Sequence, residues 1–259
     1  MRRRWLTPVA ALALAGGSML VASVASASTA APRSGHVMVQ PGGPAHLIRT
    51  GGAQGGLRNA TSTNWSGYAA HSGTYTSVSS SWTEPTGTCT SGDQYSSFWV
   101  GLDGYSSDSV EQTGSEVDCD GSTPQYYAWY EMYPAYPVNF SNTVKPGDHF
   151  TGSVTYEGSN EYQLTLSDTT QGWTQTENKT STTGVRSSAE VIIEAPYDGG
   201  VLPLADFGTV KFTATTVDGS SIGSIKHNKI TMADGSTKLD KISNLTGGTN
   251  FTGKWLASS

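Results

Sequence analysis

The chain is poor in cysteine, in basic side chains and in long apolar runs, and each shortage closes off a class of function. Only Cys89 and Cys119 occur in 259 residues, and the five histidines are scattered singly. A zinc site needs Cys or His clustered at ligand spacing, so neither a metal nor any other cofactor is expected. From Thr61 onward nine Lys and Arg stand against twenty-one Asp and Glu, a formal charge of −12. Phosphate backbones need clustered Lys and Arg, which excludes nucleic acid as a natural partner. No segment after the first twenty-four residues approaches ~18 uninterrupted apolar positions, so no later membrane span is expected. Helical spacing is scarce as well: beyond Thr61 apolar residues alternate instead of recurring every third or fourth position.

What is present begins with a leader. Arg2, Arg3 and Arg4 precede an apolar run from Trp5 to Val24, broken by Pro8, Gly16 and Gly17, and Ala25-Ser26-Ala27 supplies small residues for cleavage. That layout predicts a secretory signal peptide over 1–27 and an extracellular product, free of the membrane once the signal is removed. Residues 28–60 contain no acidic and no aromatic residue and carry Arg33, Arg49 and Arg58. Such a segment cannot bury enough apolar surface to fold alone. It reads either as a flexible linker or as a basic pro-segment drawn to an acidic cleft. Residues 61–259 suffice for one domain with one core, expected to be a monomer. In an exported protein Cys89 and Cys119 are expected to pair.

Strand-like runs occupy Val78–Thr83, Ser96–Leu102, Gln125–Tyr133, His149–Tyr156, Tyr162–Ser167, Gly172–Asn178, Ala189–Glu194 and Val210–Thr216. Turn pairs such as Asp103-Gly104, Asp120-Gly121, Pro146-Gly147, Asp218-Gly219 and Asp234-Gly235 punctuate the domain. Ten or more short strands predict an all-β sandwich of two sheets. Because side chains alternate across a strand, Tyr127, Trp129, Glu131 and Tyr133 share one face, which resembles the wall of a groove. Glu190, Ile192 and Glu194 likewise share a face, with the two acids ~13 Å apart along the strand.

Five motifs in order carry the argument further: Asn64-Trp65-Ser66-Gly67, Trp99-Val100-Gly101-Leu102-Asp103-Gly104, Glu111-Gln112-Thr113-Gly114, Ala128-Trp129-Tyr130-Glu131-Met132-Tyr133-Pro134 and Ala189-Glu190-Val191-Ile192-Ile193-Glu194. In content and order the series resembles the eqolisins, the acid-acting glutamic peptidases. The resemblance implies two curved antiparallel sheets with the substrate groove on the concave face. It implies protein or peptide substrates, and an inhibitory basic pro-segment removed in acid. It assigns the catalytic dyad to Gln112 and Glu194, and groove roles in substrate binding to Trp65, Trp99, Asp103, Trp129, Glu131 and Tyr133. Tyr127 departs from the family pattern, which has Asp at that place, and Ala195-Pro196-Tyr197 replaces a more acidic stretch; both bear on subsite preference and pH profile.

Peptide hydrolysis needs a base for water, a donor for the oxyanion and an acid for the leaving amine. A glutamine amide both donates and accepts hydrogen bonds, and a single carboxylate near its ordinary pKa of about 4.3 can serve in turn as base and acid. Two rival readings use the same aromatic and acidic strands. A glycoside hydrolase would employ Glu131 and Glu194 as acid and nucleophile but leave Gln112 idle. A non-catalytic carbohydrate-binding sandwich would need neither.

Overall fold

The structure is a computed structural model, and it describes residues 59–259. The expected signal peptide, and the basic segment up to residue 58, lie outside the described residues. In chain order the strands are β1 (Asn59–Ser62), β2 (Trp65–His71), β3 (Ser77–Thr83), β4 (Gln94–Leu102), β5 (Val110–Asp120), β6 (Thr123–Tyr133), β7 (Val138–Asn139), β8 (His149–Gly158) and β9 (Glu161–Asp168). They continue as β10 (Trp173–Thr180), β11 (Ser188–Glu194), β12 (Thr209–Val217), β13 (Ser220–Ser221), β14 (His227–Asp234), β15 (Thr237–Lys238), β16 (Asp240–Ile242) and β17 (Phe251–Trp255). A single 3-10 turn, Ile222–Ser224, is the only helical element among the described residues.

Two sheets result. One runs β1-β14-β2-β11-β4-β5-β6-β7 with β15 added to β14; the other runs β10-β9-β8-β3-β12-β17-β16 with β13 added to β12. Every pairing within them is antiparallel except β1 with β14. All eight segments read as strands from the sequence are strands, to within two residues at their ends. The β5 strand was not among them. Its Glu111, Glu116 and Asp118 suggest a solvated loop, yet all three are buried. Asn59 and Ala60, grouped with the basic segment from the sequence, pair with Lys229 and Ile230 as part of β1.

Alternation explains the core. Phe98, Val100 and Leu102 of β4, Val191 and Ile193 of β11, and Val117 of β5 point inward. They meet Trp82, Phe150, Val154, Leu164, Leu166 and Phe212 from the facing sheet. The intervening positions of β8, β9 and β10 are polar and mostly Ser and Thr, which pair outside the core, as in Ser167 with Thr174 and Thr165 with Thr176. Turn chemistry agrees with the sequence: Asp218 and Gly219, both at positive φ (50° and 72°), join β12 to β13 in a two-residue hairpin whose backbone matches the strand twist. The Asp218 carboxylate then accepts from the backbone N–H of Thr76 and Ser77, tying the hairpin to the start of β3.

Cys89 and Cys119 form a disulfide across 30 residues of chain. It fastens the segment between β3 and β4 to the end of β5, which runs beneath the candidate site. Closing a loop of that length stabilises by about 3–4 kcal/mol through the unfolded chain. Replacing both cysteines by serine is expected to lower the thermal midpoint by roughly 10 °C, since about 1 kcal/mol moves a domain of this size by 2–4 °C. Differential scanning calorimetry of the double variant checks this; an unchanged midpoint contradicts it.

Candidate active site

The outer face of the nine-stranded sheet carries a second apolar cluster: Trp65, Ala69, Trp99, Val110, Trp129, Ile192 and Ile230. Around these lie polar side chains of the same strand parity. They are Glu190 and Glu194 on β11, Gln112, Glu116 and Asp118 on β5, and Glu131 on β6. The register fixes their mutual placement. Gln112 pairs with Gly101 of β4 on one side and with Glu131 of β6 on the other. Glu194 pairs with Ser97 of β4 and with Trp65 of β2. On a flat pleated sheet Gln112 and Glu194 would be two strands and four residues apart, about 10 Å by 13 Å.

This sheet is not flat. Trp65 and Val110 lie beyond Glu194 and Gln112 at the two ends of the same diagonal. Yet the outer edge of the Trp65 ring (Cη2) and Val110 Cγ2 come within 2.8 and 2.5 Å of a single point, the place a Cβ on Gly104 would occupy. The coiling of the sheet, together with the turn at Asp103-Gly104, folds that diagonal into a hollow. Glu194 on β11 and Gln112 on β5 lie along that diagonal, on the same face of the sheet.

Trp99 fills the space between them. Its side chain lies over Gly114, where an added Cβ would come within 2.5 Å of Trp99 Cβ and 2.3 Å of the Phe98 carbonyl oxygen. Its six-membered ring runs on over Gly101: Trp99 Cζ3 and Gln112 Cβ are each 3.0 Å from the point where a Gly101 Cβ would stand. At the other end of the indole, Nε1 donates to Glu194 Oε2 at 2.8 Å. Trp65 meets Trp99 edge to face, with centroids 4.8 Å apart. One ring system therefore bonds Glu194 and runs beside Gln112.

Each of the two groups is braced separately. Gln112 Nε2 donates to Glu131 Oε2 at 2.5 Å, using one of its two amide hydrogens and fixing which end of the amide faces β6. Gln112 Oε1 and the Trp129 indole N–H are buried with no protein partner. Both can therefore engage a bound molecule. Glu194 Oε1 accepts from Asn64 Nδ2 at 3.4 Å. The Trp65 indole N–H favours the ionised Glu194 without reaching standard hydrogen-bond geometry. Burial dominates this carboxyl and pushes its pKa up to about 8, with Glu116 raising it further and the Trp65, Trp99 and Asn64 donors opposing.

The structure brings Trp65, Trp99, Trp129, Glu131, Tyr133, Gln112 and Glu194 to one face, Tyr133 packing against the tryptophan cluster. Asp103 has a scaffold role of its own. Its carboxylate accepts from the backbone N–H of Val185 (2.8 Å), Arg186 (2.6 Å) and Ser187 (2.8 Å) and from the Ser107 and Ser187 hydroxyls. Both oxygens hold the loop before β11. Three acids went unassigned from the sequence: Glu116, Asp118 and Glu190. Parity along Ala189–Glu194 sets Glu190 on the Glu194 face but gives it no role; the parity of β5 would have found the other two, had β5 been read as a strand. Among the described residues no group of three or more ligating side chains could hold a metal ion, and no helix is long and apolar enough to cross a membrane.

With that geometry in view, the comparison with known proteins is direct. The chain belongs to the Peptidase A4 family, whose model matches residues 63–254. It is a glutamic-type endopeptidase of the eqolisin kind. It is 28% identical over 210 residues to aspergillopepsin-2 of Aspergillus niger, covering 71% of this chain and 73% of that protein. Over 139 residues it is 34% identical to scytalidopepsin B of Scytalidium lignicola, covering 48% and 52%. Among solved structures, scytalido-glutamic peptidase with a transition state analog inhibitor aligns with a TM-score of 0.66 at 27% identity, over 75% of this chain and 98% of that one. Membership removes the carbohydrate-active readings.

The site's electrostatics carry a consequence for stability. Burial raises Glu84, Glu111 and Glu194 to about 8, Glu116 and Asp240 to about 7, and Glu190 and Asp118 well above the ordinary range. No ion pair among the described residues reaches any of them. In each, the folded pKa lies above the unfolded one. The stabilising contribution is therefore complete below about pH 4 and is lost as pH rises through 7 to 8. Thermal midpoints measured from pH 3 to 8 are expected to fall continuously above pH 4. A midpoint that holds level or climbs over that interval contradicts the account.

Proposed function

We propose that this chain is the secreted precursor of an acid endopeptidase in which Gln112 and Glu194 activate one water molecule, with no covalent intermediate. The observation that carries the reading is the register of the nine-stranded sheet, which sets an amide and a carboxylate on one face with Trp99 between them, bonded to Glu194 and packed beside Gln112.

The steps follow from hydrogen-bonding capacity. Gln112 Oε1 accepts one hydrogen of the water and orients its lone pair toward the substrate carbonyl carbon. Ionised Glu194 takes the other proton as the carbon–oxygen bond forms. The Gln112 amide hydrogen not used by Glu131 donates to the developing oxyanion, and the Trp129 N–H is placed to add a second donor. Protonated Glu194 then delivers its proton to the departing nitrogen as the carbon–nitrogen bond breaks. The carboxylate returns to its starting state, and the products are a carboxylic acid and an amine. Trp65, Trp99, Trp129 and Tyr133 line the groove that receives an extended peptide. Tyr127, opposite Glu116 on the same face, makes the neighbouring subsite less acidic than one bearing a second carboxylate.

Maturation belongs to the same reading. Gln112, Glu131 and Glu194 are wholly buried in the full-length chain. A peptide reaches them only once the groove has opened, and loss of the basic pro-segment in acid is the maturation step this reading assigns. Opening also sets the chemistry. Burial is the largest cause of the raised Glu194 pKa, so admitting water lowers it toward the acid range, where one carboxylate can be ionised at the start of a turnover and protonated at its end. The leader accounts for export, and the acidic domain attracts its own cationic pro-segment until acid neutralises the carboxylates.

The test incubates purified precursor in acid with denatured protein. N-terminal sequencing is expected to show loss of the basic segment, followed by proteolysis of the added protein. Gln112→Ala is expected to cost on the order of 10²–10³ in turnover, and Glu194→Gln to leave no measurable hydrolysis. Near-full turnover in either variant removes the dyad assignment.

A further inference from the structure

Glu194 is held from two sides, and the second side has a structure of its own. Ser62 and Asn64 are both fully buried, at the exit of β1. The Ser62 hydroxyl oxygen accepts the backbone N–H of Asn64 (3.3 Å) and of Trp65 (3.1 Å), and its hydrogen is donated to Asn64 Oδ1 at 2.9 Å. This leaves the Asn64 amide no choice of orientation. With Oδ1 facing a hydroxyl donor, the NH2 end must face Glu194, where it donates to Oε1. The Asn64 backbone carbonyl simultaneously accepts the N–H of Ala195, so one residue grips both the side chain and the following backbone of Glu194. Ser62 is in turn placed by the parallel pairing of β1 with β14, in which Ser62 stands opposite Met232.

The two carboxylate oxygens are thereby made unequal. Oε2 takes a short bond from the Trp99 indole, while Oε1 takes a longer one from Asn64. The less tightly held oxygen is the better proton acceptor. We propose that Ser62 and Asn64 are positioning residues that orient Glu194 and reserve its Oε1 as the oxygen that exchanges protons with the reacting water. The inference rests on the dyad reading above and extends it to residues outside the dyad.

The groups facing Glu194 are the Trp65 ring from β2, the Trp99 ring and Ser97 from β4, Asn64, and across Ser97 the Glu116 carboxyl from β5. Among these Glu116 is the one other titrating group, and a nearby ionised Glu116 raises Glu194. Asn64 works in the opposite direction, because a donor to the charged form lowers the pKa.

The experiment compares kcat/KM against pH for the matured protein and its variants. Asn64→Ala and the isosteric Asn64→Asp are expected to move the acid limb, which reports ionisation of Glu194, upward by about half a pH unit or more, with rate lost mainly below the limb. Ser62→Ala, which frees the amide to turn its oxygen toward Glu194, moves the limb the same way. Ser62→Thr, which keeps the hydroxyl, restores it. A merely structural role would lower kcat equally at all pH values or lower the melting temperature with the limb in place, and either result overturns the inference. If Glu194→Gln is inactive while the Asn64 variants keep the wild-type limb, this inference fails and the dyad stands; if Glu194→Gln stays active, the dyad reading itself fails.

Discussion

The Trp99 indole lies across two positions that have no side chain, and the site takes its shape around it. Glycine at 114 lets the ring root lie against β5; glycine at 101 lets its far edge pass between Glu190 and Gln112 without obstruction. Any Cβ at 114 would stand 2.3 Å from a backbone carbonyl, a collision that no rotamer relieves. The ring passes over both glycines, and the natural coiling of the sheet shortens the offset of about 13 Å along the strands between Glu194 and Gln112. The inter-sheet core, with Phe98 and Val100 behind Trp99, keeps that curvature rigid.

The second constraint is electrostatic. The outer face of the nine-stranded sheet assembles Glu116, Asp118, Glu131, Glu190 and Glu194 within a few strands, and four of these are raised by burial. In neutral water such a concentration of acid would resist folding by desolvation and mutual repulsion. In acid the carboxyls are neutral, and the same face becomes a set of hydrogen-bonding groups around a tryptophan floor. Acid therefore favours the fold of this face. Acid dependence is built into the sheet as a whole, not into a single catalytic group.

Much of the fold was legible in the residues. Alternation in Gln125–Tyr133 and Ala189–Glu194 assigned the correct faces, because each strand buries one face in the core and turns the other toward the hollow. Asp218-Gly219 marked its hairpin, because that pair tolerates the positive φ the turn demands. The β5 strand was obscured by Glu111, Glu116 and Asp118. Propensity counts such residues as exposed, whereas tertiary packing here buries them. The site was legible only in part. Motif order singled out Gln112, Glu194 and the three tryptophans, and parity put Glu131 beside Trp129. The scaffold role of Asp103 was not legible, because nothing local reveals that residues 185–187 wrap its carboxylate from more than eighty positions away. The tie from Ser62 through Asn64 to Glu194 depends on a hydroxyl choosing an amide orientation, which spacing cannot encode.

The central claim is that an amide and an acid on one face of a coiled sheet act on one oxygen. A crystal structure of the matured protein bound to a peptide mimic of the tetrahedral intermediate measures this directly. The account predicts one inhibitor oxygen within hydrogen-bond distance, about 3.2 Å or less, of both the Gln112 amide and the Glu194 carboxylate, with the Trp99 ring beneath it. An inhibitor seated away from either group, or the two head groups turned toward separate cavities, would contradict it.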